Sequence, residues 1–62
     1  MNLININECK IGQVILTKNN TTIAIETIEM AIVDMYRGIV TLVDFFGVHY
    51  TLFDNEKVLV LK

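Results

Sequence analysis

The chain has 62 residues, of which 53% are apolar, with seven acidic side chains against five basic ones, one cysteine, one histidine and no proline. A chain this short buries only about 60% of the surface its unfolded form exposes, and one cysteine and one histidine supply neither an internal disulfide nor a zinc site, so one small domain over residues 1–62 must hold together by apolar packing. A net charge of −2 with dispersed cations argues against a nucleic-acid groove, and the absence of any serine excludes a serine triad.

The first segment, MNLININECK, lacks a basic start followed by an apolar run, so it does not read as a secretory signal, and Asn2 to Asn7 is a candidate edge strand. No apolar run exceeds four residues, which leaves no membrane-spanning helix. A cytoplasmic location is the expectation, with Cys9 a reduced thiol.

Gly12 to Ile28 predicts a first hairpin. Nine Ile, seven Val and six Thr favour strands throughout. With Asn19-Asn20 as a two-residue turn, Leu16 faces Ile23 and Val14 faces Ile25 on one apolar side. Gln13, Ile15, Thr17, Thr22, Ala24 and Glu26 then take the other side.

The stretch Glu26 to Gly38 breaks the alternation. A bulge near Glu26-Thr27 would shift the phase and bend a long strand that runs into a loop. The alternative is α+β, with a central helix near 26–37: Ile25, Ile28, Ile32, Met35 and Tyr36 fit helical spacing.

Val40 to Phe53 predicts a second hairpin around Asp44-Phe45-Phe46-Gly47, the D-x-x-G pattern of a type I turn followed by a left-handed glycine. In this register Leu42 faces Tyr50 and Val40 faces Leu52. Val43–His49, Thr41–Thr51 and Ile39–Phe53 pair on the opposite face. Asp54-Asn55-Glu56 is a turn, and Lys57 to Leu61 a closing strand. The predicted core is Val14, Leu16, Ile23, Ile25, Val40, Leu42, Tyr50 and Leu52.

The order Gly12-x-Val14-x-Leu16, Asn-Asn turn, long bent strand, loop, Gly38-x-Val40-Thr41-Leu42, Asp44-x-x-Gly47, Tyr50 and short last strand resembles small SH3-like barrels of the Tudor and KOW sort over about residues 11 to 61. The resemblance implies an all-β barrel of about five strands. It also implies binding of protein or nucleic acid rather than catalysis.

The functional expectation centres on the second hairpin. Central positions of a type I turn face water and usually carry small or polar side chains, yet here both are phenylalanine. The candidate partner-binding residues are Phe45 and Phe46, extended by Ile39, Val43, His49 and Phe53 on the outer face and by Tyr36. The partner is another protein or a second copy of the chain. The competing reading has the two rings fold back to close the open end of the barrel. Abundant Asn and Ile suggest an AT-rich genome, which fits a phage or mobile-element accessory protein that occludes a host protein. Alternatives are a nucleic-acid-binding barrel, for which Lys10, Lys18, Arg37, Lys57 and Lys62 would supply the charge, and a small structural subunit of a larger assembly. No enzyme activity, cofactor, metal or membrane association is expected. A Cys9–His49 dyad is a catalytic pair that the composition permits, and it would require a reactive thiol at neutral pH.

Overall fold

A computed structural model describes residues 2–33 and 37–62. Those residues form two antiparallel sheets, with one 3-10 turn over Ile6–Glu8. The strands are β1 (Asn2–Asn5), β2 (Val14–Leu16), β3 (Thr22–Ala24), β4 (Thr27–Ile32), β5 (Gly38–Val43), β6 (His49–Phe53) and β7 (Lys57–Val60). The first sheet has the order β1-β7-β2-β3 and the second the order β4-β5-β6. The all-β expectation holds. The strands number seven among the described residues, rather than about five, because β1 adds to the first sheet and the long bent strand divides into β3 and β4.

That division has a local cause. Ile25 still pairs with the first sheet, its N–H donating to the Gln13 carbonyl at 2.9 Å and its own carbonyl accepting from Gly12. One residue later the Glu26 N–H donates to the Val43 carbonyl at 2.8 Å, while Thr27 is the register partner of Val43. Two residues opposite one is a β-bulge, and it carries the chain from one sheet to the other. Before it the odd residues Ile23 and Ile25 point inward; after it Ile28 lies beside Leu42 on the inner face. Strand pairing over Thr27–Ile32 overturns the helix alternative for that segment, since side-chain periodicity alone does not distinguish a short apolar strand from a helix. Tyr36 and Met35 lie outside the described residues.

The second hairpin has the predicted register, from Val43↔His49 to Ile39↔Phe53. The first does not. Its pairs are Val14↔Ala24, Ile15↔Ile23 and Leu16↔Thr22. The Thr17 N–H donates to the Thr21 carbonyl and the Asn20 N–H to the Thr17 carbonyl, each at 2.9 Å, and Asn20 has φ 62°. The loop is therefore three residues, Lys18-Asn19-Asn20, with Asn20 left-handed. One added residue rotates β2 by one face. Ile15 is fully buried, and Val14 and Leu16, expected in the core, are only partly covered on the outer side.

The core between the sheets consists of Ile6, Cys9, Ile15, Ile23, Ile25, Val40, Leu42, Leu52 and Val58, with Ile4, Ile28, Tyr50 and Val60 packed against it. Tyr50 is partly rather than fully buried because its hydroxyl must reach a polar partner at the edge. Ile6 enters the core from the 3-10 turn, which is tied to the start of β7 by an N–H donated to the Glu56 carbonyl at 2.8 Å. Gly38 is buried where the chain leaves no room for a side chain: a Cβ there would stand 2.8 Å from the Asp54 carboxylate and 3.1 Å from the Ala31 carbonyl. No helix among the described residues is long and apolar enough to cross a membrane.

Candidate functional site

The tip of the β5–β6 hairpin is built on Asp44. Its carboxylate Oδ1 accepts the N–H groups of Phe46 at 2.9 Å and Val48 at 3.0 Å, and Oδ2 accepts the Tyr50 hydroxyl at 3.1 Å. The backbone closes the same turn, with the Gly47 N–H donating to the Asp44 carbonyl and the Asp44 N–H to the Val48 carbonyl, each at 3.1 Å. Gly47 has φ 80°, the left-handed conformation that glycine adopts without steric cost. Asp44 itself is only 9% exposed. Desolvation pulls its pKa upward, but the hydrogen bonds from Val48, Phe46 and Tyr50 outweigh that effect and leave it below the usual carboxylate value. The Tyr50 phenol is shifted upward, by desolvation and then by its bond to the Asp44 charge.

This framework sends the two rings outward. Phe46 is 92% exposed and Phe45 67%, and Val48 beside them is half exposed. The phenyl groups therefore do not fold back over the core between the sheets. Polar bonds fix the backbone of the tip while its side chains meet solvent, which gives a preformed apolar projection.

The structure divides the remaining candidates. Val43 and His49 pair on the outer face of the second sheet, next to the tip. Ile39 and Phe53 pair on the same face, but the Thr41–Thr51 pair separates them from Val43 and His49. Four strand residues span roughly 13 Å, so these are two patches and not one. Phe53 is half exposed at the far patch. Cys9 lies in the core, its pKa raised by burial and then by the neighbouring Glu8 carboxylate, whereas His49 is exposed on the outer face. No group of three potential metal ligands occurs among the described residues.

Two apolar surfaces were not singled out by sequence reasoning. On the outer side of the first sheet, Leu3, Leu59 and Leu16 form a cross-strand row beside an open groove of ≈ 560 Å³, bordered by Lys18 and Glu56, whose charged atoms lie 3.9 Å apart. On the second sheet, Met30 and Ile32 overhang the end of the core next to a pocket of ≈ 370 Å³ that Asn7, Gly38, Val40 and Asp54 help to line. The register slip hid the first surface. The second depends on how far one sheet extends past the other, which the pattern of one strand does not encode.

No family model matches the chain, and neither the curated proteins nor the solved structures contain a match to it.

Proposed function

We propose that this protein is a non-catalytic binding module, an SH3-like barrel that grips another protein with the tip of its β5–β6 hairpin. The observation that carries the reading is the 92% exposure of Phe46 on a turn whose backbone is held at both ends by one carboxylate. Aromatic side chains of this kind dominate interface energetics when they enter a partner's apolar pocket, and a rigid presentation lowers the ordering cost of binding. Val43, His49 and Val48 would rim the contact, with Phe45 beside the leading ring. The partner would need an apolar cleft wide enough for a phenyl ring, with donors or small side chains around it. A phage-type accessory protein that covers a functional surface of a host protein matches the size of the chain and its Asn- and Ile-rich composition.

Replacing Phe46 with Asp tests this. Central turn positions accept polar side chains, so the variant should melt within a few degrees of wild type. It should lose capture of the partner, since truncating a central aromatic anchor typically costs about 2 kcal/mol or more, a thirtyfold weakening. A folded variant that retains the same partner would remove the tip from the interface. Salt separates the rival nucleic-acid reading, because phosphate binding weakens steeply as salt rises and an apolar contact hardly responds.

A further inference from the structure

We infer that β4 is a self-pairing edge: a second copy of this chain docks antiparallel along Thr27–Ile32, joining two three-stranded sheets into one of six strands. Among the described residues, β4 has only β5 as a neighbour in its sheet. The Val33 N–H donates to the Arg37 carbonyl at 2.9 Å, which marks that residue pair as hydrogen-bonded. Alternation along an antiparallel ladder then turns the backbone groups of Ala31, Glu29 and Thr27 toward β5. It also turns those of Ile28, Met30 and Ile32 toward the open side.

The side chains at this edge favour pairing over solvent. Met30 and Ile32 stand on the inner face beside Val40 and Gly38, yet they are 60% and 87% exposed. Natural edge strands are usually protected by charged side chains, lysine above all, by proline or by a bulge. β4 has no proline and no lysine, its one charge is Glu29, whose backbone faces β5, and its bulge lies at its start.

A second copy fits this strand in a single register. Outward-directed groups must oppose outward-directed groups, so even residues pair with even residues. With the two-fold axis at Met30, Met30 opposes its own copy, Ile28 opposes Ile32, and Glu29 opposes Ala31. The one charge in the strand thus meets a methyl group. Shifting the axis to Glu29 sets like charges against each other, and shifting it to Ala31 shortens the overlap to three residues. The chosen register places the apolar inner faces side by side and brings the second copy's Ile28 to Ile32, at the mouth of the pocket that Ile32 lines. Two strand edges together with the exposed Met30, Ile32 and Val33 side chains put the contact at the small end of specific interfaces, on the order of 1,000 Å² at most, so a weak, concentration-dependent dimer is expected. A charge of −2 per copy offers little opposition. The hairpin tips stay free, because they join β5 to β6 rather than bordering β4.

Sedimentation across low to high micromolar concentration and amide exchange on the wild-type chain test this together. The wild type should pass from monomer to dimer. The amides of Ile28, Met30 and Ile32, which face the open side in the monomer, should gain far more protection as concentration rises than those of Glu29 and Ala31, which gain only the general stabilisation that association brings. Met30→Pro removes only an N–H that faces solvent in the monomer, a position where edge strands tolerate proline. It should be monomeric, whereas Met30→Thr, which keeps the N–H, should still dimerise more weakly. A wild type that stays monomeric, a proline variant that dimerises, or a dimer that Phe46→Asp dissolves would each overturn the inference. If the proline variant fails to fold, the alternating exchange pattern of the wild-type chain decides alone.

Discussion

Asp44 occupies a position where the strand pattern calls for an apolar side chain, and it is kept there by three donors. The same carboxylate holds the turn that carries both phenyl rings, so the charge state of one residue governs the shape of the proposed site. Because the folded-state pKa is depressed, the unfolded chain binds the proton more readily, and the stabilisation is complete above the ordinary aspartate value of about 3.9. It is lost as pH falls through the lower folded value. Tyr50 has the opposite sign: its phenol is raised, so its share is present below the ordinary value of about 10 and disappears as pH rises through the folded one. Melting temperature should therefore fall at both extremes. Asp44→Asn should melt lower than wild type at neutral pH, show a shallower acid limb, and bring the Tyr50 titration, followed by site-resolved NMR, back toward its ordinary value. An unchanged Tyr50 titration would mean that burial alone, and not the carboxylate, sets its shift.

The two hairpins show what an element's sequence specifies. In the β5–β6 hairpin a single glycine follows the type I turn, so the left-handed residue has one location and the register follows from it; every pair from Val43–His49 to Ile39–Phe53 was legible. In the β2–β3 hairpin, Asn19 and Asn20 both tolerate positive φ, and loops of two or three residues are both open to the chain. The three-residue loop prevails, helped by Thr17, whose Oγ1 accepts the Thr21 N–H at 3.1 Å. The bulge at Glu26-Thr27 was legible from the change of phase, and the tip from two phenylalanines in a turn. The exposed edge of β4 was not, because exposure of Met30 and Ile32 reflects what lies above them in space. The register can be checked by a pair of truncations. Ile15→Ala removes a fully buried side chain and should cost about 2–5 kcal/mol, whereas Leu16→Ala, on the partly covered outer row, should cost distinctly less. Equal losses on chemical denaturation, or a larger loss at Leu16, would restore the two-residue turn.

At the scale of the whole molecule, nine buried apolar side chains among the described residues hold two sheets together with no disulfide to limit the unfolded state. At roughly 0.05–0.15 kcal/mol per residue, a chain of this length has about 3–9 kcal/mol of stability. Leu42 is fully buried in β5, the central strand of the second sheet, and truncating it to Ala should cost about 2–5 kcal/mol. The loss is therefore comparable to the total. Cys9 supplies a direct readout, because it is buried in the same core and both burial and Glu8 disfavour its thiolate. In the native chain a thiol reagent at neutral pH should react slowly, limited by how often the core opens. Since each 1.4 kcal/mol is about tenfold in the open population, Leu42→Ala should accelerate labelling of Cys9 by roughly thirty- to several-thousand-fold. Leu16→Ala should produce a far smaller change. If Leu42→Ala instead labels at the wild-type rate, Cys9 is reached by local opening of the Ile6–Glu8 turn, and the two ends of the core do not unfold as one unit.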